Sequence, residues 1–390
     1  MKINIVGGGP AGLYLAYLTK RSRPQWDVRV IEQNAADVTF GFGVVLSGRA
    51  QELIAQGDPA IAERLAVHAE TWGEQHIVHR GETIVVDGSA FCGIARIDLL
   101  AGLQAICVEA GVSLTFGERL GADALKGSGI LDCDILVGAD GANSVVRDAH
   151  ADAFGTRVTD LGNYYAWYGV ARPYPAHTLT FKQTDAGIMC AHHYRYRPDS
   201  STFVAEVLSD TWQRAGLWQM DEDQRRQHIE GVFADTLAGL PLISNRSIWR
   251  RWRLVRNDRW SFRNVVLIGD ALRTAHPSIG SGTRLAMEDA IALWRALVEE
   301  GDNVSAAFAR YERERRPVRE RLDSAAERSI DWYERLSEKM HLAPDDFAYD
   351  YLLRTGVMTP ERLERASPRF MAAWRRRERA AVVARRSGDV

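Results

Sequence analysis

A glycine-rich turn near the start of the chain has the residue types and spacing that bind a dinucleotide. Residues 7–12 are Gly-Gly-Gly-Pro-Ala-Gly, a G-x-G-x-x-G pattern between an apolar run and a stretch of helix-forming residues. Gly7 permits the tight turn, Gly9 lets the backbone approach a pyrophosphate, and the following helix offers its N-terminal amides to the anion. Glu32 lies about 20 residues further on, where a carboxylate holds a ribose hydroxyl pair. The residues predicted to contact the dinucleotide here are Gly7, Gly9, Pro10, Ala11, Gly12, Glu32 and Gln33.

Two later segments place an acid beside a glycine just after a predicted buried strand. Asp140-Gly141 begins the run Asp-Gly-Ala-Asn-Ser-Val-Val-Arg, and Gly269-Asp270-Ala271 precedes Pro277 and a glycine loop at 280–283. The first turn alone leaves FAD and NAD as alternatives. The run at 140–147 is similar to the D-G-x-x-S-x-x-R pattern of flavoprotein hydroxylases, and this resemblance favours FAD. In that family the aspartate matching Asp270 binds the ribityl chain, and the glycine loop lies against the pyrimidine end of the flavin.

The expected orientation of the next helix suits a flavin. A helix starting near Thr283 would point its positive end at the N1–C2=O region, where negative charge accumulates when the ring is reduced. Arg96 begins another predicted helix where these hydroxylases place an arginine or glutamine near the flavin diphosphate; the alternative is a surface arginine. The residues predicted from these segments to bind FAD are Arg96, Asp140, Gly141, Asp270, Pro277, Gly280, Gly282 and Thr283.

Longer blocks resemble one family, the class A flavoprotein aromatic hydroxylases of the p-hydroxybenzoate hydroxylase type, over nearly the whole chain. The blocks at 39–47, 91–96, 191–195 and 274–290 resemble the branch with salicylyl-CoA 5-hydroxylase and 2-aminobenzoyl-CoA monooxygenase. The violacein-pathway hydroxylase shares these blocks and a Met-His-Leu segment, here at 340–342. Two departures lie beside the expected flavin: Pro277 stands where relatives often have phenylalanine, and Arg273 replaces a histidine.

The resemblance implies an FAD enzyme that takes electrons transiently from NADH or NADPH. It would hydroxylate an electron-rich aromatic ring with O2, through a flavin C4a-hydroperoxide. The resemblance implies an aryl-CoA thioester such as salicylyl-CoA as the substrate. An ortho-hydroxyl or ortho-amino group on such a ring would activate the position para to itself, which suits 5-hydroxylation. The alternatives are hydroxylation of a free indolic or other aromatic metabolite, and a flavoprotein reductase or oxidase without oxygen transfer.

Candidate catalytic and substrate residues come from the aromatic-rich middle of the chain and from the flavin loop. A general base could take a phenol proton, and His192, Tyr194 and His276 are the candidates. Strand alternation places His192 and Tyr194 on one face and His193 on the other. Each candidate could instead be a hydrogen-bonded packing residue. The residues expected to contact the substrate are Phe42, Val45, Tyr165, Trp167, His192 and Pro277.

The elements that must position these residues follow from hydrophobic patterning. Apolar runs near residues 3–7 and 28–32 flank the first helix and predict a βαβ opening. Four runs rich in aromatic and β-branched residues between 164 and 208 are separated by turn chemistry and predict an antiparallel sheet. The predicted fold class is α/β (α+β), a Rossmann-like FAD-binding domain with an inserted antiparallel sheet and a helical C-terminus. The expected domains are 1–160 with 256–300 for FAD, 161–255 for substrate, and 301–390 as the helical region.

Composition limits the partners. The 390 residues carry a formal net charge of -2 and are 46% hydrophobic, which gives no reason to expect nucleic acid. Four scattered cysteines form no Cys-x-x-Cys pair, so we expect neither disulfides nor a metal site, and a reducing cytoplasm. No long uncharged apolar span predicts a membrane helix. The expected partners are a small aromatic molecule and O2, with the protein a monomer or homodimer.

Overall fold

The computed structural model describes residues 1–121, 129–280 and 282–387, and the elements below are those of the described residues. The strands are β1 (Lys2–Val6), β2 (Asp27–Ile31), β3 (Gly43–Ser47), β4 (Ala69–His79), β5 (Glu82–Ala95), β6 (Ser113–Thr115), β7 (Ile135–Gly138), β8 (Thr156–Val170), β9 (His177–Thr184), β10 (Gly187–Arg197), β11 (Ser200–Val207), β12 (Ile243–Ser244), β13 (Arg250–Asn257), β14 (Ser261–Phe262) and β15 (Val265–Leu267). The helices are α1 (Pro10–Ser22), α2 (Gly48–Gly57), α3 (Pro59–Ala66), α4 (Arg96–Ala110), α5 (Val145–Asp148), α6 (Ala151–Phe154), α7 (Ser209–Arg214), α8 (Glu222–Val232), α9 (Ala234–Leu237), α10 (Gly269–Leu272), α11 (Gly282–Glu300), α12 (Val304–Glu334), α13 (Pro344–Leu353), α14 (Pro360–Ala366) and α15 (Pro368–Ser387), with 3₁₀ turns at Leu217–Gln219, Pro277–Ile279 and Leu336–Glu338. None of these helices has the length and apolar character needed to cross a bilayer.

A mostly parallel sheet carries the three predicted cofactor segments. Its strand order is β14-β15-β7-β1-β2-β6, with β1 at the centre beside β2 and β7. These strands are short apolar runs buried on both faces, as parallel strands covered by helices must be. Helices α1, α4, α11 and α12 pack over the sheet. The carboxyl ends of β1, β7 and β15 are neighbours, so the turns that follow them meet at one edge.

The second sheet is larger and mostly antiparallel, in the order β12-β8-β11-β10-β9-β4-β5-β3, with β13 also paired to β8. The four predicted strands are confirmed as β8 to β11. One face packs against Trp332 and Tyr333 at the end of α12 and against Phe347 of α13. The opposite face packs against α7, α8 and α9. The sheet is therefore a middle layer whose two faces have different neighbours.

The mixed α/β fold and the helical C-terminus are confirmed. Strands β3, β4 and β5 lie inside the stretch expected to bind FAD, yet they pair within the larger sheet; β4 is joined in parallel to β9. The expected domain bounds therefore remain a prediction. The sequence pattern did not indicate β4 and β5, the longest antiparallel pair of that region.

Candidate active site

The first glycine turn is shaped by contacts behind it and is open in front. Gly7 has φ +111°, and a Cβ there would lie 2.3 Å from the carbonyl oxygen of Ala139. A Cβ on Gly9 would meet no atom within 4 Å, so this backbone faces open space. Pro10 begins α1, whose first amides have no side-chain cap. The turn thus presents unpaired amide donors toward a cleft, the arrangement that receives a phosphate.

Glu32 is held at the rim of this turn. Its Oε2 accepts a hydrogen bond from the Gly8 amide at 2.7 Å, and its Oε1 accepts one from the Asn34 amide at 2.9 Å. These bonds fix the carboxylate at the end of β2, where the motif requires a ribose partner. Gln33, next in the chain, is exposed.

The second cofactor segment is a tight turn built around Asp140. Its Oδ2 accepts hydrogen bonds from the amides of Val145 at 2.7 Å and Val146 at 3.3 Å. Its Oδ1 is buried without a hydrogen-bond partner among the described residues. Burial raises the pKa of Asp140, against the opposing effect of these hydrogen bonds. An unpartnered buried carboxylate oxygen is costly in a finished structure, so this atom suits a ligand hydroxyl group.

The second and third segments are joined by an arginine. The Ser144 hydroxyl caps α5 by accepting a bond from the Arg147 amide at 3.0 Å. The Arg147 Nη1 then reaches the Ala271 carbonyl oxygen at 3.4 Å. Arg147 is buried. The motif's arginine therefore links the turn at Asp140 to the turn at Asp270.

Asp270 and Arg96 come from distant parts of the chain and interact electrostatically. Burial raises the pKa of Asp270, and the positive charges of Arg319 and Arg96 oppose that rise. The Arg96 side chain is accessible to solvent, yet desolvation lowers its pKa because protein atoms surround it. A charged group that is both accessible and desolvated lines a cleft. The structure thus places Arg96 and Asp270 within electrostatic range of each other, and their roles toward the cofactor remain a prediction.

The third cofactor segment continues with a 3₁₀ turn at Pro277–Ile279. Residues 277–283 are called the flavin loop. The hypothetical Cβ atoms of Gly280 and Gly282 meet nothing within 4 Å, so the loop borders open space. Thr283 lies in the first turn of α11 as predicted, and Ser281 is outside the described residues. The carbonyl oxygen of Ser278 accepts a bond from Arg354 at 2.7 Å, which fixes the loop to the C-terminal region.

These segments fit FAD. They supply an open glycine turn with free amides, a carboxylate at the end of β2, a buried unpartnered oxygen at Asp140 and a cleft-lining pair at Arg96 and Asp270. The glycine turn, Glu32, Asp140 and Asp270 follow strands of the parallel sheet at its carboxyl edge, and Arg96 begins α4 directly after β5 of the larger sheet. The charge of the Arg96 guanidinium and the positive end of the α1 dipole complement the negative charge of a diphosphate.

A chain of hydrogen bonds connects the flavin loop to the larger sheet. His276 Nε2 lies 3.0 Å from the Tyr165 hydroxyl, which donates to Glu206 Oε1 at 2.8 Å. On the other side of His276, Nδ1 lies 2.7 Å from the Ser278 hydroxyl. Burial lowers the pKa of His276 to about 4. His276 is therefore a neutral ring with both nitrogens engaged.

Aromatic rings cluster beside this chain. Tyr165 and Trp167 have ring centroids 6.1 Å apart, and Trp252 lies 6.0 Å from Trp167 and 6.2 Å from His276. Trp252 Nε1 is buried without a hydrogen-bond partner among the described residues. This cluster forms an aromatic wall next to the flavin loop, with Pro277 half-buried at its edge.

The other predicted substrate and catalytic residues are held by contacts of their own. Tyr194 donates its hydroxyl to the Gly43 carbonyl oxygen at 2.9 Å, and burial raises its pKa to about 12. Val45 packs in the same small cluster as Tyr194. Phe42 lies against Gly169, where a Cβ would be 2.5 Å from its ring. His192 belongs with the hydrogen-bonded chain, since its Nε2 lies 3.3 Å from Glu206 Oε2.

Sequence reasoning missed two sets of residues that organise the site. Glu206 and Trp252 join the polar chain and the aromatic wall, and a single acid in the apolar run at 203–208 was the available signal for Glu206. The buried carboxylate of Asp289 accepts a bond from the Gly269 amide at 3.2 Å and pairs with Arg315 and Arg319. No local spacing in the sequence predicts that Asp289 would pair with arginines of the next helix.

Comparisons with known proteins agree with this geometry. The family described as FAD binding domain matches residues 1–326. The chain is 35% identical to salicyloyl-CoA 5-hydroxylase of Streptomyces sp, over 91% of this chain and 70% of that one. It is 36% identical to 3-hydroxy-4-methyl-anthranilyl-[aryl-carrier protein] 5-monooxygenase of Streptosporangium sibiricum (89% and 93% covered) and 32% identical to protodeoxyviolaceinate monooxygenase of Chromobacterium violaceum (92% and 96%).

Solved structures share the fold. The tetrameric form of 2-methyl-3-hydroxypyridine-5-carboxylic acid oxygenase superposes with a TM-score of 0.67 at 19% identity, covering 94% of this chain and 95% of that one. PqsL of Pseudomonas aeruginosa in complex with 2-aminobenzoylacetate gives 0.67 at 21% identity, covering 86% and 96%. The family match over most of the chain, the three relatives above 30% identity and the cleft that fits FAD lead to one conclusion: the chain belongs to the FAD binding domain family and is an FAD-dependent aromatic monooxygenase.

Proposed function

We propose that the protein uses NADH or NADPH and O2 to hydroxylate the ring of an aryl thioester such as salicylyl-CoA, at position 5. The observation that carries this proposal is the 35% identity to salicyloyl-CoA 5-hydroxylase over 91% of the chain. A second relative, at 36% identity, is named for a ring held on an aryl-carrier protein. Both names specify attack at position 5 of a ring carried by a larger group.

The aromatic wall supports a ring substrate. Trp167 is partly exposed and lies beside Tyr165 and Trp252, with the Arg250 guanidinium 5.9 Å from its ring centroid; the other face of the ring would stack on a planar substrate. The unpartnered Nε1 of Trp252 offers one hydrogen bond from the same wall. These groups would orient the ring and exclude water, and the flavin loop at Pro277 would border the ring's reacting edge.

The cofactor cleft sets the remaining roles. When bound, FAD supplies the transfer of one oxygen atom from O2 after reduction by the nicotinamide donor. The amides at Gly9 and α1 and the Arg96 guanidinium would hold the diphosphate, and Glu32 a ribose. Asp270 would accept a hydrogen bond from the ribityl chain, and Asp140 Oδ1 has an open acceptor site for a cofactor hydroxyl.

A second candidate function is hydroxylation of a free aromatic metabolite. The 32% identity to protodeoxyviolaceinate monooxygenase, over 96% of that protein, favours it. The aromatic wall would also suit an indolic ring, so the two candidates differ in whether a thioester is required.

One set of assays separates the candidates. The purified holoprotein is given NADH or NADPH with salicylyl-CoA, 2-aminobenzoyl-CoA, free salicylate or an indole compound in turn. We expect a thioester to accelerate oxidation of the nicotinamide and to gain one ¹⁸O atom from ¹⁸O2, detected by mass spectrometry. Stimulation by free acids or indoles alone would refute the thioester proposal and favour the second candidate. If the product gains oxygen at another ring position, the assignment of position 5 is wrong.

A further inference from the structure

Glu206 is a buried carboxylate with more partners than its place in a strand requires. Asn163 and Tyr165 donate to its Oε1, each at 2.8 Å. His192 Nε2 lies 3.3 Å from Oε2, and the Cys190 thiol donates to Oε2 at 3.5 Å. Burial alone would raise the pKa of Glu206, but hydrogen bonding and charge from His192 hold it below its ordinary value. The group is therefore an ionised carboxylate held in place by four neighbours.

The partners of Glu206 determine the tautomer of His192. A carboxylate oxygen accepts hydrogen bonds and cannot donate them, so Nε2 of His192 must carry the proton that faces Oε2. The Nδ1 atom then has a free electron pair. Nδ1 makes no hydrogen bond to any described residue, and 15% of the His192 side chain is accessible while Glu206 is 1% accessible. Nδ1 is not one of the buried, unpartnered side-chain atoms of the described residues, so this nitrogen and its free electron pair belong to the accessible part of the ring.

The directions of their hydrogen bonds exclude the other two candidate bases, His276 and Tyr194. The Tyr165 hydroxyl donates its only proton to Glu206, so His276 Nε2 must donate to the Tyr165 oxygen. With its proton on Nε2, His276 must accept from Ser278 at Nδ1. His276 has no electron pair left for a substrate. Tyr194 is engaged with Gly43 on another part of the sheet. Among the three predicted bases, His192 alone combines an accessible nitrogen with a carboxylate behind it.

We propose that His192 is the catalytic base of the proposed hydroxylation, and that Glu206 is its positioning residue. His192 Nδ1 takes the proton of the hydroxyl group on the substrate ring. The O–H bond breaks, an N–H bond forms, and the electron pair stays on the ring oxygen, where it activates the para position. Glu206 fixes the accepting tautomer and stabilises the imidazolium that results. The assignment rests on the proposed function for its substrate, while the tautomer rests on the geometry alone.

The groups around His192 are compatible with its role as the base. Glu206 supplies one negative charge from β11, and the Tyr333 ring of α12 lies 5.8 Å from the imidazole centroid. The remaining titratable or charged neighbours are Cys190 on the same strand, His177 on β9, His193 on the opposite face and His276 and Arg354 across the cleft. Burial lowers the pKa of His177, His193 and His276, so these rings are neutral beside it.

The first test needs no substrate. ¹⁵N-histidine NMR of the holoprotein, with His192 assigned through His192→Gln, should show the Nε2–H tautomer of the neutral ring. Glu206→Gln should change the tautomer ratio of His192, because an amide can donate as well as accept and no longer requires a proton on Nε2. The signals of His193, which faces the other way and contacts Thr180, serve as the internal control and should not move. An Nδ1–H tautomer in the wild type, or an unchanged tautomer ratio in Glu206→Gln, would overturn the proposal.

The second test uses any phenolic substrate that the oxygen-incorporation assay identifies. His192→Gln should lower kcat about 100-fold or more, the usual contribution of a general base. Glu206→Gln should lower kcat and alter the pH profile of kcat, and Glu206→Asp should restore part of both. Exposed His68→Gln is the control. Equal kcat and the same pH profile in Glu206→Gln and wild type would refute the positioning role. Failure to find any substrate would overturn the proposed function but leave the tautomer result intact.

A metal assay tests the remaining alternative, which is that Cys190, His192 and Glu206 bind a metal ion. Cys190, His192 and Glu206 place three ligand-type atoms within 4.8 Å of one another. A bound zinc ion would occupy the Nε2 electron pair, which the proposal assigns to a proton. Elemental analysis of untagged holoprotein should therefore find no stoichiometric zinc, and about one equivalent that is lost in Cys190→Ser would overturn the proposal.

Discussion

The guanidinium group of Arg319 lies 3.1 Å from the carboxylate of Asp289, and both side chains are almost completely shielded from solvent. Arg319 also donates to the carbonyl oxygens of Arg273 at 2.9 Å and Gly269 at 3.4 Å. Asp289 accepts the Gly269 amide. One ion pair between α12 and α11 therefore holds both ends of the turn that carries Asp270.

Removing this arginine should weaken both the fold and cofactor binding. Arg319→Met leaves Asp289 with Arg315 as its remaining cation, and we expect the free energy of unfolding to fall by about 3 kcal/mol. Urea denaturation measures the loss, and bound flavin should fall in parallel. Arg321→Met on the same helix is exposed and is the control. Equal midpoints for the two variants would show that the buried pair does not stabilise the turn.

Asp270→Ala should purify with little or no flavin. The variant loses a charged hydrogen-bond acceptor in the cleft, which corresponds to about 10- to 150-fold weaker binding. The ratio of flavin to protein absorbance in the purified protein measures it. Asp302→Ala, at an exposed carboxylate, should retain normal flavin. A fully yellow Asp270→Ala protein would contradict the assignment of Asp270 to the ribityl chain.

Acid should destabilise the protein through His276. Burial lowers its folded pKa to about 4, below its ordinary value of 6.5. The unfolded chain therefore binds this proton at higher pH, and the free energy of unfolding falls as pH drops from about 6.5 to about 4. Between pH 7 and pH 5 this residue should contribute about 2 kcal/mol of the loss. Urea midpoints of His276→Gln should depend less steeply on pH than those of wild type, while His68→Gln should follow the wild type. Parallel curves for all three proteins would contradict the shift.

Trp167 should contribute to ring binding but not to flavin binding. Trp167→Ala removes one face of the aromatic wall, and we expect the KM of an aromatic substrate to rise about 2- to 12-fold with flavin content unchanged. Steady-state oxidation of the nicotinamide measures this. Trp218→Ala is the control, since that side chain is 55% exposed in a different part of the sheet domain. An unchanged KM would place the ring elsewhere.

The sequence predicted the parts of this fold that depend on local pattern. The glycine turn, the strands β8 to β11 and the helix beginning at Arg96 all follow from residues close together in the chain. Alternation correctly separated His192 from His193, because His192 reaches Glu206 while His193 packs with Phe203 on the other face. Patterns of period two report strand faces directly.

The parts that could not be predicted depend on pairing between distant segments. The parallel pairing of β4 with β9 has no local signal, since either strand could have lain at an edge. The hydrogen bond from the Tyr194 hydroxyl to the Gly43 carbonyl oxygen of β3 is of the same kind, because no local pattern indicates that partner. Glu206 of β11 gains its role only because β8 and β10 bring Tyr165 and His192 to its two sides.

The strand order of the parallel sheet also has a consequence for synthesis of the protein on the ribosome. β1 lies at the centre, but its neighbour β7 remains uncovered until β15 (Val265–Leu267) is translated, after the whole of β8 to β13. Such long-range closure makes folding slow and leaves early segments exposed. A nascent chain that ends before residue 265 would carry the complete Gly7–Gly12 turn but not the Asp270 turn. Flavin capture therefore waits for translation of the Asp270 turn, long after the Gly7–Gly12 turn has been made.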